Sequence, residues 1–387
     1  MKLLHLSDLH FGKSLFEYSL IEDQRYWCGQ VLAFLRENPH DAVIIAGDLY
    51  DRSVPSSEAV ELMDGFLTAL VQELRLPVLA ISGNHDGGKR LGFGSGLYRG
   101  SGLYMAAVPQ AEIERVTLTD AFGAVDFWLL PYLSPADGRT LFPEKDIHTF
   151  HDTYRVFLEE NMPRMDKNRR NVLVAHGFFS GFSQNVETQL VTSDSELSIG
   201  GADITDTALF AGFQYCALGH LHAPQRAGGE TIRYCGSPLK YSVSEEHQRK
   251  RLLSVTLDAQ GNVTFAETEL APLHRLYSVE GSLEQLSAPT GGEMVSEDYV
   301  FVNILTDGAE LAAAQRIRNL YPNYLGIRYR TREEATLLLG GGEAVRRRSL
   351  PEAFDDFYQS VTGRELTSQQ RQLVTLVAEE TREGEEP

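Results

Sequence analysis

Five times in the first 222 residues, a short apolar run ends directly in side chains able to bind metal ions. They are Asp8 and His10 in SDLH, Asp48 in AGDLYD, Asn84 and His85 in SGNHD, His176 in VAHG, and His220 and His222 in LGHLH. A chain patterned this way must bring several strand ends to one place, and in α/β sheets the carboxyl ends of strands are where sites gather. Gly47, Gly83, Gly177 and Gly219 stand beside these residues. There a turn must bring backbone and side chain close together; ordinary strand-end turns would use glycine as well, and the two readings are compatible.

The rest of the pattern agrees with such a sheet. Short runs rich in Val, Ile and Leu alternate with helix-like stretches through residue 260 or so, which reads as an α/β domain. Strands are predicted at 2–7, 42–47, 77–82, 127–131, 171–175, 215–219, 231–235 and 252–257, and helices near 20–37, 56–74 and 149–161. A second unit begins near Leu273: strand 275–280, a polar loop, strand 298–305, helix 309–321 and strand 324–331 make a small α+β domain. Asp307, Gly308 and Glu310 open its helix and Pro322 with Asn323 closes it. After Gly340 to Gly342 come two short helices, each opened by a capping box, Ser349 with Glu352 and Thr367 with Gln370, and then an acidic tail, Glu379 to Pro387. A hairpin this small cannot bury both faces alone, so it either packs on its own domain or grips a partner.

Aspartate, asparagine and histidine without thiolate form a set of O and N donors suited to Mn, Fe or Zn and poorly suited to copper or iron-sulfur sites. Seven donors exceed what one ion takes. They divide naturally between two ions with a carboxylate between them, and two ions about 4 Å apart are suited to in-line attack at phosphorus. A lone His near a strand end is more often structural than a ligand. Five such segments in one chain are a different matter: they hold five of the eleven histidines, while His5, His40, His148, His151, His247 and His274 lack that context and read as structural or surface residues.

Composition narrows the class. Three cysteines, Cys28, Cys216 and Cys235, with no C-x-x-C spacing, argue against a disulfide framework or a zinc-thiolate site and read as reduced. No apolar run approaches the roughly 18 residues that span a membrane, and the charged start MKLLHLSDLHFG is unlike a signal peptide; a cytoplasmic, nucleoid-associated protein with no membrane partner is expected. A formal net charge of −19 argues against bulk electrostatic capture of nucleic acid. The local basic runs, Lys167 with Arg169 and Arg170, Arg249 to Arg251, and Arg346 to Arg348, read as solvated surface rather than phosphate tracks.

At the five segments the chain resembles the calcineurin-like metallophosphoesterase superfamily, whose pattern runs D-x-H, G-D, G-N-H-D/E, a lone His, then G-H-x-H; all five blocks are intact and in order over roughly residues 1–240. The finer resemblance is to the SbcD family, nuclease subunits of bacterial SbcCD exonucleases. It rests on LSDLHFGKSL, AGDLYDRSVPSSEA, SGNHD, the long insertion before VAHG, and ALGHLHAPQ followed by IRYCGSPLKYS. That resemblance implies a sandwich of two mixed sheets flanked by helices (1–270), an α+β DNA-capping domain (271–340) and a C-terminal helical pair (341–387). It implies two divalent metal ions, Mn²⁺, one held by Asp8, His10, Asp48 and His222 and the other by Asp48, Asn84, His176 and His220, with Asp48 as the bridge. His85 would contact the scissile phosphate and Asp86 would orient its ring. One departure is that many archaeal and eukaryotic relatives carry His three residues after the bridging Asp, where this chain, like bacterial members, has Asp51, a candidate substrate contact.

The activity implied is metal-dependent cleavage of DNA, as a double-strand exonuclease and single-strand or hairpin endonuclease in end processing, repair and recombination. The partners implied are an SbcC-like SMC-family ATPase, bound through residues 349–380, and a second copy of the chain, joined through helices of the amino-terminal third. Two alternatives stay open from residues alone: a calcineurin-like phosphodiesterase or phosphatase acting on small nucleotides, and a non-catalytic scaffold, whose signature would be degraded ligands.

Overall fold

The computed structural model describes residues 1–183, 186–187, 190–196, 204–287, 297–305, 317–318, 320–330, 366–367, 370–371 and 374. Two six-stranded mixed sheets dominate it. The first runs, edge to edge, Val263–Glu269, Arg251–Leu257, Lys2–Leu6, Ala42–Ala46, Val78–Ile81, Leu103–Ala106; the second runs Gln225–Gly229, Ile232–Tyr234, Tyr215–Gly219, Arg170–His176, Gly123–Leu130, Glu114–Asp120. The inner strands are buried on both faces, which is why they read as unbroken apolar runs.

Period-two alternation sorts these runs into three layers of core. Leu3, Ile44 and Leu79 of the first sheet meet Phe127, Val172 and Val174 of the second. On the outer face of the first sheet, Leu4, Val43 and Ile45 pack against Trp27 and Val31 of helix Ile21–Glu37 and Phe66 of helix Ser57–Thr68. On the outer face of the second, Trp128, Leu130 and Leu173 pack against Tyr154 and Phe157 of helix Phe150–Asn161. Burying one such aromatic side chain contributes about 2–3 kcal/mol. The result is the expected sandwich of two mixed sheets flanked by helices. Helix Phe150–Asn161 starts at a capping box of Thr149 and Asp152 that satisfies its first free N–H groups.

Within these two sheets four strands lie outside the expected set: Leu103–Ala106, Glu114–Asp120, Gln225–Gly229 and Val263–Glu269. Each of them is a sheet edge. Helix 56–74 holds α geometry only to Thr68 and continues as a π turn, Ala69–Glu73. A short helix, Pro135–Leu141, is unmarked by any apolar repeat. Two of the basic runs differ from the solvated reading. Arg170 is buried and grips the Asp120 carboxylate with both terminal nitrogens (2.5 and 2.9 Å), and the Lys250 side chain, 9% exposed, lies among four oxygen acceptors. Both bury their charge beside a carboxylate, which composition does not reveal.

A third sheet has three parallel strands, Leu276–Gly281, Tyr299–Leu305 and Tyr324–Arg330, with Val300, Val302 and Ile317 in its core. The expected helix 309–321 falls mostly outside the described residues. Asp23 ties this sheet to helix Ile21–Glu37, accepting the Tyr299 hydroxyl at 2.8 Å and pairing with His274 Nδ1 at 3.0 Å. Residues Met1–Arg330 form one compact unit and Thr331–Pro387 a second. In the second, Thr367 and Gln370 make the expected reciprocal cap, Thr367 N–H to Gln370 Oε1 at 2.9 Å and Gln370 N–H to Thr367 Oγ1 at 3.4 Å. The first capping box, at Ser349, and the acidic tail lie outside the described residues. No helix among the described residues is long and apolar enough to cross a membrane.

Candidate metal centre

Strands Lys2–Leu6, Ala42–Ala46, Val78–Ile81, Arg170–His176 and Tyr215–Gly219 all deliver their carboxyl ends to one end of the sandwich. Asp8 (φ 52°), His10 (φ 44°), Asp48 (φ 51°) and His220 (φ 116°) have left-handed backbone, which costs each of these non-glycine residues free energy and turns its side chain inward. Close packing explains two of the glycines. Gly47 has φ 89°, and a Cβ there would overlap the His176 ring; a Cβ at Gly83 would overlap the Asp48 carboxylate.

The seven expected ligand side chains converge. His10 Nε2 lies 3.2 Å from His222 Nε2 and 3.7 Å from Asp48 Oδ2. His176 Nε2 lies 3.4 Å from Asp48 Oδ2 and 2.9 Å from Asn84 Oδ1, which His220 Nδ1 approaches at 3.1 Å. Asp48 Oδ2 thus faces histidines of both proposed ligand sets. Donor atoms of Asp8, His10 and His222 fall within 4.8 Å of one another, as do those of Asp8, Asp48 and His176.

The electrostatics suit a site that binds positive charge. Burial, reinforced by the nearby Asp48 carboxylate, pushes the Asp8 carboxyl up to about 8. Burial also works on Asp48, but His176, His10 and His85 outweigh it and hold that carboxyl well below the usual range. Burial would lower His176, yet Asp48 and Asp8 lift it to about 9; burial, with His176 alongside, takes His220 down to about 3, and burial drives His10 well down. Once the protons that Asp8 and His176 hold at neutral pH are displaced, these buried carboxylates and imidazole nitrogens form a cage whose charge a dication would balance. The donors, carboxylate and amide oxygen with imidazole nitrogen, suit Mn²⁺ or its neighbours.

His85 sits beside the cage, half-buried, its ring 4.7 Å from that of His10 in an edge-to-face arrangement. Its Nδ1 faces the Asp51 carbonyl oxygen at 2.9 Å, and its N–H donates to Asp48 Oδ1 at 2.8 Å. Asp86 does not orient this ring as expected. Its carboxylate is taken up by three backbone N–H groups, Leu49, Tyr50 and Gly83 (3.1, 3.0 and 2.9 Å), and so braces the loops that carry Asp48 and Asn84.

Sequence reasoning missed what stands behind His222. Glu245, fully buried, places Oε1 2.9 Å from His222 Nδ1 and accepts the Ser195 hydroxyl at 2.7 Å, while Lys250 holds its Oε2 at 2.6 Å. A carboxylate on Nδ1 fixes the ring so that Nε2 keeps its lone pair for a ligand role; His176 has instead the Ala46 carbonyl oxygen 2.9 Å from its Nδ1. Nothing in SVSEEHQRK marks this role, since the run is polar and follows no strand. Glu245→Gln is therefore expected to weaken one of two bound ions by about 10–100-fold and spare the other, as read by metal titration.

Known proteins place this geometry. A family model described as calcineurin-like phosphoesterase matches residues 1–224, and one described as type 5 capsule protein repressor C-terminal domain matches residues 272–362. The chain belongs to the calcineurin-like phosphoesterase family. Relatives along most of its length carry a narrower name. The SbcD subunit of the nuclease SbcCD from Staphylococcus epidermidis is 33% identical, over 84% of this chain and 85% of its own; that of Staphylococcus saprophyticus is 29% identical over 97% of each. Among solved structures, a 5'-nucleotidase precursor from Thermus thermophilus is 13% identical, with a TM-score of 0.38 over 70% of this chain and 54% of its own.

Proposed function

We propose that the chain is a metal-dependent DNA nuclease, the nuclease subunit of an SbcCD-type complex. The observation that carries this reading is the convergence of seven intact ligand side chains from five strand ends, with a half-buried histidine, His85, beside them. The names of its relatives supply the substrate class. Intact ligands also weigh against a non-catalytic scaffold.

Asp8, His10, Asp48 and His222 would hold one ion and Asp48, Asn84, His176 and His220 the other, with Mn²⁺ the metal we favour. Bound there, two dications supply Lewis-acid activation of water and neutralise phosphate oxygens. The chain's own part is positioning and proton transfer. With its Nδ1–H given to the Asp51 carbonyl, the imidazolium form of His85 turns its Nε2–H to the substrate, where it binds the phosphate or hands that proton to the leaving oxygen. Residues 271–340 form the DNA-capping part and 349–380 the contact for an SMC-family ATPase, in the cytoplasm with the nucleoid. A charge of −19 makes such a partner's basic surface useful for holding DNA.

A second copy of the chain has a candidate seat. Helix Ser57–Thr68 and the segment after His85 border a groove of about 410 Å³, with Phe93 80% and Leu97 83% exposed close by. Large apolar side chains left this open mark an interaction surface. Phe93→Glu with Leu97→Glu is expected to convert a dimer to a monomer in analytical ultracentrifugation without lowering the melting temperature.

The test of the nuclease reading is Mn²⁺-dependent cleavage of linear duplex and hairpin DNA, by the chain alone and with its ATPase partner, next to bis-p-nitrophenyl phosphate. DNA cleavage in either setting is the expected result. Turnover of the small diester with DNA untouched in both would move the chain to a phosphodiesterase of small nucleotides.

A further inference from the structure

Three parts of the site meet on Asp51. Its Oδ1 takes the Lys13 ammonium at 2.7 Å and lies 3.8 Å from His10 Nδ1, while its backbone oxygen faces His85 Nδ1 at 2.9 Å. The ion pair is shielded, with side-chain exposures of 14% for Lys13 and 12% for Asp51. Arg52, 80% exposed, approaches the other carboxylate oxygen, Nε to Oδ2 at 3.6 Å. Lys13 Nζ also lies 5.6 Å from the centroid of the Tyr241 ring, which packs edge-on against both His10 and His222.

Two cations therefore surround one carboxylate, a local surplus of one positive charge one side chain away from His10 and His85. A phosphodiester brings one negative charge. An ammonium carries three N–H donors and swings on a flexible stem, so it can turn from a carboxylate to a phosphate oxygen without moving the backbone. Arg52 stands ready to neutralise the carboxylate left behind. Asp51 is itself an anion and repels the substrate; its use is to hold others, since His10 Nδ1 is buried with no hydrogen-bond partner among the described residues and Asp51 Oδ1 lies 3.8 Å from it.

Resting on the phosphoesterase reading, we propose that Lys13 is a contact for the substrate phosphate, held ready by Asp51, which acts as a positioning residue. The substrate contact expected at Asp51 passes to Lys13. The competing account is that the pair only pins the turn after His10 to the loop after Asp48.

The two accounts separate when each partner is removed in turn, because a simple pin fails alike from either side. The probe is inorganic phosphate, titrated calorimetrically into the full Mn²⁺-loaded chain, with metal content and melting temperature measured for each variant. Lys13→Met is expected to weaken phosphate binding about tenfold and raise KM for bis-p-nitrophenyl phosphate more than it lowers kcat, with Lys13→Arg recovering most of the loss. Asp51→Asn, which frees the ammonium, is expected to bind phosphate at least as tightly as the unmodified chain. Unchanged phosphate affinity in Lys13→Met, or equal weakening in both variants, overturns the proposal. A chain that hydrolyses no diester would sink the enzymatic reading instead, while the phosphate titration would still decide the role of Lys13.

Discussion

Replacing His85 with Ala is expected to cut DNA cleavage by about 10²–10⁴-fold while the chain still binds two metal ions. His85 is not counted among the seven ligands, and its ring is anchored by the Asp51 carbonyl rather than by any ligand side chain. Removing the ring leaves the backbone N–H of residue 85 free to donate to Asp48 Oδ1, so the bridge position keeps its geometry. The loss should depend on the leaving group. A DNA alkoxide needs a proton as it departs, whereas the nitrophenolate of bis-p-nitrophenyl phosphate is stable without one. The variant should therefore retain much more activity on the small diester than on DNA. Equal losses on both would assign His85 to binding phosphate rather than to proton transfer, and loss of an ion would make it a ligand.

Asp48→Ala is expected to abolish activity on every phosphodiester and to reduce the bound metal below two ions per chain. Its Oδ2 stands between histidines of both proposed sets, 3.7 Å from His10 Nε2 and 3.4 Å from His176 Nε2. The same substitution removes the carboxylate that lifts His176, whose ring would then lose its proton more readily. Thermal melting gives an independent readout. An ion present at about a hundred times its dissociation constant stabilises a fold by about 2.7 kcal/mol, so Mn²⁺ should raise the melting temperature of the unmodified chain more than that of the variant.

Much of the sandwich was legible because its inner strands are buried on both faces. AVIIA at 42–46 and VLAI at 78–81 can be little else than strand, given their brevity and the turn residues that follow. The edges hid for the same physical reason turned around. ERVTLTD and VTFAETE interleave exposed polar or charged residues with buried or half-buried ones, so neither shows an apolar run.

The ligands were legible because a strand end sets where the next side chain points, and five such ends are hard to produce by chance. Glu245 and Lys250 were not, because their burial comes from how a polar loop folds back over His222. A lysine between Arg249 and Arg251 looks solvated until the four acceptors around it are seen. Asp51 was visible only as an anion beside a phosphate site, and its meaning changed once Lys13 and Arg52 were found against it.

If these seven side chains hold two ions in one hydrolytic centre, anomalous diffraction at the manganese edge, from crystals grown with Mn²⁺, will show two peaks, one among Asp8, His10 and His222 and one among Asn84, His176 and His220, both in contact with Asp48. A single peak, or peaks lying away from these residues, would contradict the two-ion centre.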